Sequence, residues 1–140
     1  MSIVFNTYAW IEYFIGSSLG KIVKRYLKKD HCLTPSIVMA ELAWKYFREH
    51  VNPNDIKLRL LFILKKTDII NIDHDIAITG AKFTLFLREN AKKMKIKKKP
   101  GLSDGLVYAI TKMFNGKLLT GDLHFKGLPD VIFLPEEKIK

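Results

Sequence analysis

Apolar positions along this chain follow two rhythms. Short, mainly apolar runs at Ile3–Phe5, Cys32–Leu33, Ile69–Ile72, Lys117–Leu119 and Val131–Leu134 have the length of buried strands. Between them the spacing is helical. Ala9, Trp10, Tyr13 and Phe14 share one face of a helix that Gly16 ends. Ser18 to Lys29 predicts a second helix, with Ile22, Val23, Tyr26 and Leu27 in one stripe and Lys21, Lys24, Arg25, Lys28 and Lys29 opposite. Thr34 reads as a helix cap with Pro35 at the first helical position, and that helix continues to near His50. Asn54 to Lys66 places Ile56, Leu60, Ile63 and Leu64 on one side. Asp73 caps a long helix with Ile76, Phe83 and Leu87 inward, and Ser103 caps a last one with Leu106, Val107, Ile110, Met113 and Phe114 inward. Before that last helix lies AKKMKIKKKPG, broken at Pro100-Gly101.

Short strands alternating with helices predict the α/β class, a three-layer α/β/α arrangement with a short-stranded, mostly parallel central sheet covered by helices. The 140 residues suit one domain, 1–140. Three features bear on compartment. No apolar run reaches the length of a membrane span, and no basic leader precedes an apolar stretch at the N-terminus. Cys32 has no second cysteine to pair with, so a cytoplasmic location is expected. Charge narrows the partners: 24 Lys plus Arg against 14 Asp plus Glu give +10, which favours a polyanion and first of all nucleic acid. A lysine-rich surface kept for thermal stability is the plain alternative.

Four polar positions stand where such a fold gathers its chemistry. Asn6 ends the first strand, Glu41 lies inside the third helix, Asp104 opens the last helix and Asp122 follows the fourth strand. Acids at strand ends and helix starts converge on the crevice outside the carboxyl ends of a parallel sheet. Such a cluster suits a hard divalent cation, and with it phosphate chemistry. Taken singly, Asp104 is explained by the positive end of its helix and Asp122 by an ordinary turn. Glu41, among apolar neighbours, is harder to explain without a partner.

In order along the chain, NTYAWIEYF, Glu41 in A-E-L, S-D-x-x-x-Y-A at Ser103, Asp104, Tyr108 and Ala109, and T-G-D-x-x-F from Thr120 to Phe125 resemble the PIN-domain ribonucleases, and among them the VapC toxins of prokaryotic toxin–antitoxin pairs. The resemblance covers essentially the whole chain and implies a PIN-like fold. It implies a metal-dependent endoribonuclease in which Asn6, Glu41, Asp104 and Asp122 form the catalytic set and hold Mg²⁺ or Mn²⁺. Thr7, Ser103 and Thr120 would support the carboxylates or touch the scissile phosphate. Lys92, Lys93, Lys95, Lys97, Lys98 and Lys99 would contact the RNA backbone, although the run also reads as the solvated end of a helix. A cognate antitoxin that reaches into the acidic pocket, and a homodimer, are the implied protein partners. Trp10, Tyr13, Trp44 and Phe47 read as core or subunit interface.

Asn6 departs from the family pattern, which has an acid there. An amide oxygen can still coordinate Mg²⁺ but brings no charge and accepts no proton. The substitution is either engineered, silencing a protein toxic to its host, or natural, leaving binding without turnover. A non-catalytic RNA- or partner-binding PIN-like module and a PIN nuclease of RNA maturation are therefore the alternatives. A phospho-receiver domain would need an acidic pair near the first strand, and there is none. His31, His50, His74 and His124 show no ligand spacing, and His124 reads as a surface residue.

Overall fold

The computed structural model describes residues 1–134. Its centre is a five-stranded sheet built from β1 (Ser2–Phe5), β2 (His31–Pro35), β3 (Asp68–Ile70), β4 (Lys117–Thr120) and β5 (Val131–Phe133). The strand order is β3-β2-β1-β4-β5, and every pairing is parallel. The register sets Val4 against Leu33 on one side and Leu118 on the other. The chain therefore works outward from β1 in one direction, then returns to its other flank with β4. The sheet has its topological switch between these two strands, where a crevice opens at their carboxyl ends.

Among the described residues, six α-helices cover the sheet: α1 (Thr7–Ile15), α2 (Ser18–Lys29), α3 (Ser36–Arg48), α4 (Pro53–Lys66), α5 (His74–Lys93) and α6 (Leu102–Met113). Strands buried on both faces read as continuous apolar runs, and Ile3, Val4, Phe5, Leu118 and Leu119 are fully buried. Trp10 packs on Phe5 and stacks on Phe14 in this core. Its indole N–H donates to Thr34 Oγ1 at 3.1 Å, and Thr34 in turn shares a 2.8 Å hydrogen bond with Thr67 Oγ1. Those two threonines are buried, so the chain of hydroxyls satisfies groups that would otherwise be costly there.

This network corrects one expectation. Thr34 does not cap α3. Strand β2 runs on through Pro35, which stands at the cap position and offers no side-chain hydrogen bond. Asp73 does cap α5, accepting from the Ile76 amide at 2.8 Å. Met113 and Phe114 are exposed rather than inward, because α6 ends where they begin to leave the core. Trp44 and Phe47 are exposed at 64% and 55%, which excludes the core reading for both. No helix among the described residues is long and apolar enough to cross a membrane.

Two glycines let α5 and α6 approach closely. A Cβ on Gly105 would lie 2.0 Å from Thr84 Oγ1, and one on Gly80 would lie 2.5 Å from a methyl of Leu106. This contact sets where α6 begins, and therefore where Ser103 and Asp104 stand.

Candidate active site

Each predicted site residue is delivered by a different local rule. Asn6 leaves β1 with an extended backbone and caps α1, its Oδ1 accepting from the Ala9 amide at 3.2 Å. Its Nδ2 donates to Thr120 Oγ1 at 2.8 Å, and that oxygen also accepts from the Asp122 amide at 3.0 Å. Thr120 is fully buried at the end of β4, so it ties the first strand's exit to the fourth strand's turn. Asp122 Oδ1 in turn accepts from the His124 amide at 2.9 Å, closing a one-turn helix at Leu123–Phe125.

Glu41 arrives from α3. Its two carboxylate oxygens accept from the Thr7 hydroxyl at 2.7 Å and the Ser103 hydroxyl at 2.8 Å. Ser103 therefore does not cap α6 as the sequence predicts. Gly101 takes the cap position, and Asp104 Oδ2 accepts from its amide at 3.0 Å. The plain reading of Asp104, a carboxylate at a positive helix end, is thus satisfied within the site itself.

Asn6, Thr7, Glu41, Ser103, Asp104 and Asp122 line one crevice of about 470 Å³, together with Lys98, Lys99 and His124. Burial pushes the Asp104 carboxyl up to about 6, and the charges of Asp122 and Glu41 add to this, against the Gly101 amide and His124. Desolvation is the larger part of that rise, and repulsion from the two neighbouring carboxylates is the smaller.

His124 was not legible from the sequence. It is buried, not at the surface, and its Nε2 lies 2.7 Å from the Lys98 carbonyl. That carbonyl can only accept, so Nε2 holds the proton. Nδ1 lies 3.1 Å from Asp122 Oδ1 but is not aligned as a hydrogen bond, and it has no other partner among the described residues. The only sequence cue was its position two residues after Asp122.

The lysines divide. Lys98 and Lys99 line the acidic crevice, Lys92, Lys97 and Lys99 line an adjoining one, and Lys93 and Lys95 line neither. All six are exposed.

The donors fit a hard divalent cation by type, since Glu41, Asp104, Asp122 and the Asn6 amide present oxygen alone, and His124 Nδ1 waits beside them as an orphaned polar atom. They do not form a closed cage as they stand. Among the described residues, no group of three His, Cys, Asp or Glu side chains is placed to hold one ion.

A sequence profile of the family described as PIN domain matches residues 3–131. No curated protein matches the chain. Among solved structures, a toxin–antitoxin complex from Klebsiella pneumoniae is 23% identical, with 94% of this chain and 97% of that one covered and a TM-score of 0.66. VapC20 of Mycobacterium tuberculosis, a toxin that cleaves the sarcin-ricin loop, is 13% identical, with 92% and 96% covered and a TM-score of 0.69. VapBC2 of Rickettsia felis, bound to a DNA fragment from its promoter, is 18% identical, with 95% and 97% covered and a TM-score of 0.66. At these identities the likeness is one of fold.

Proposed function

The chain belongs to the PIN-domain family, and on that premise we propose that it is built as an endoribonuclease of VapC type, the toxin half of a toxin–antitoxin pair, disabled at Asn6. One observation carries the reading: three carboxylates and the Asn6 amide meet in a single crevice at the sheet's switch point, rimmed by lysines. Asp104 and Asp122, with the Asn6 oxygen, would hold Mg²⁺ or Mn²⁺, and Glu41 would join them directly or through water. When bound, the ion supplies an activated water and neutralises charge on the phosphodiester.

The chain's own residues do the rest. Thr7 and Ser103 hold both Glu41 oxygens, fixing the direction of that carboxylate. Thr120 fixes the Asn6 side chain relative to Asp122. Lys98 and Lys99 offer cations to the RNA backbone at the crevice mouth. Exposed Trp44 and Phe47 on α3 supply apolar area for a homodimer partner, and the net charge of +10 with an acidic pocket suits an antitoxin that brings a basic side chain into it.

The hydrogen bonds around position 6 make the test clean. In Asn6→Asp, one oxygen keeps the α1 cap and the other accepts from the Thr120 hydroxyl, whose proton simply turns toward it. No partner is orphaned. RNA cleavage by this chain and by Asn6→Asp, with Mg²⁺ or Mn²⁺ and with chelator, is the deciding experiment. The aspartate form should gain at least about 100-fold, more than the loss of a group behind a ligand typically costs, and chelator should abolish the gain.

A second reading is supported by the same geometry. Asn6 already uses both ends of its amide, as a residue selected for that place would, which suits a non-catalytic RNA-binding module. RNA binding without cleavage by either form would favour it. Cleavage by the aspartate form in a gene context without an antitoxin would favour a nuclease of RNA maturation.

A further inference from the structure

Beside the acidic crevice lies a second one of about 400 Å³, and Lys99 is in the wall of both. Its apolar lining runs from buried Ala91 and Pro100 through half-buried Ile96 to exposed Leu85 at the edge. Its rim carries four cations, Arg88, Lys92, Lys97 and Lys99, against one carboxylate, Glu89. Local structure holds this shape. Lys95 takes a left-handed conformation (φ 58°), and the Ile96 amide turns back to the Ala91 carbonyl at 2.9 Å, folding Ile96 against the end of α5. Arg88 Nε donates to the Pro100 carbonyl at 2.9 Å, and the Lys98 carbonyl is held by His124. The lysine segment is thus a fixed partition between the two crevices.

An RNA strand crossing the acids meets repulsion at every phosphate that lies over them, so its hold must come from cations on either side. The shared wall at Lys99 leads such a strand into the second crevice. That space falls in the range of small-molecule sites, roughly 300–1,000 Å³, and pairs an apolar lining with a cationic rim, as a nucleotide pairs a flat base with a phosphate. Arg88 presents a fork suited to phosphate oxygens. We infer that this crevice is a subsite for the nucleotide flanking the scissile phosphodiester, its phosphate on the Arg88, Lys92 and Lys97 rim and its base against Leu85 and Ile96. The inference rests on the ribonuclease reading of the acidic crevice.

The test is binding of a 5′-fluorescein single-stranded RNA roughly ten nucleotides long, within the range of single-strand site sizes, in chelator, followed by anisotropy. K92E/K97E should weaken binding by about tenfold or more and flatten the log–log salt slope by about two. K21E/K28E makes the same charge change on α2, where both side chains are exposed, and should cost less than about threefold. Leu85→Ser, which changes no charge, should also weaken binding by removing the apolar contact to the base, by about fivefold. Equal losses in the two double variants would overturn the subsite, leaving only a general field. So would losses confined to an acidic peptide such as polyglutamate, which would give the crevice to a protein partner. If Asn6→Asp still cleaves while K92E/K97E binds RNA normally, the ribonuclease reading stands and the subsite falls. Absence of RNA binding by every form overturns the subsite, and metal-dependent cleavage by Asn6→Asp decides the ribonuclease reading separately.

Discussion

Lys98 stands at the mouth of the acidic crevice because a buried imidazole 26 residues away holds its carbonyl. Removing that donor leaves the carbonyl orphaned and loosens a segment whose lysines are themselves protease sites. His124→Leu should therefore raise the rate of tryptic cleavage within residues 95–99 by about tenfold, the opening expected from one lost hydrogen bond of about 1–1.5 kcal/mol. His124→Gln keeps a donor at nearly the same reach and should restore most of the protection. Equal cleavage of both variants would remove the clamp from the account. Cys32 gives a second check at this scale. Burial, with the nearby Asp30 charge, pushes its thiol up to about 12, so the reactive thiolate is scarce at neutral pH. Thiol reagents should label it only as fast as the chain unfolds, with labelling becoming rapid in denaturant. Asp104 and Asp122 were legible in the sequence because each sits in a short motif at an element's end, and Glu41 because it is a carboxylate among apolar neighbours inside a helix. The bonds of His124 and Thr34 were not, because the partners that define them (Lys98 and Trp10) lie 26 and 24 residues away; Ser103, whose partner Glu41 is 62 residues away, read locally as a cap, and only the family resemblance pointed it at the carboxylates. A hydroxyl near a helix start looks like a cap until a distant group offers it a better bond.

At the scale of elements, the helices were readable because a 3.6-residue period survives along each of them, and α2 shows it most plainly, with its apolar stripe buried and its lysines outside. Their ends were less so. β2 reaches Pro35 because the strand pairs onward to Ile70, which no local signal announced. The close approach of α5 and α6 was equally silent, since Gly105 within S-D-G-L has no distinguishing neighbour in sequence. Its effect is testable. Gly105→Ala sets a methyl 2.0 Å from Thr84 Oγ1 and 2.3 Å from the Gly80 carbonyl, and backbone cannot yield as a flexible side chain can. Overpacking of this kind costs about 1–3 kcal/mol, read as a lower midpoint in urea with an unchanged slope. Relief by separating the helices would also shift Ser103 and Asp104, so cleavage in the Asn6→Asp background should fall further than the stability loss alone explains.

For the whole molecule, the sheet order decides where the candidate site forms, because the pairing of β1 with β4 brings Asn6 beside Asp122. That order depends on long-range pairing and could not be read from local pattern; the family resemblance stood in for it. The crevice so formed has an electrostatic consequence for folding. Asp104 titrates near 6 in the folded chain against an ordinary 3.8, so between those values the folded state binds more protons than the unfolded one. Stability must then fall as pH rises through that window and stay lower at neutrality. Asp130 runs the opposite way. Its hydrogen bonds from Lys112 and Lys117 hold it down to about 2, so its contribution is present above 3.8 and is lost as pH falls toward 2, modestly for so open a pair of ion pairs. In chelator, thermal unfolding should accordingly peak near pH 4–5 and decline toward pH 7. A divalent cation that binds the folded state alone adds stability by mass action, about 2.7 kcal/mol at a hundredfold excess over its dissociation constant. Mn²⁺ or Mg²⁺ should therefore raise the melting temperature at pH 7 and much less at pH 5, where a proton competes for Asp104. Asn6→Asp adds a fourth carboxylate to the same crevice. It should lower the metal-free melting temperature at pH 7 and enlarge the metal-induced rise, and a metal response unchanged by that substitution would remove position 6 from the ion's surroundings.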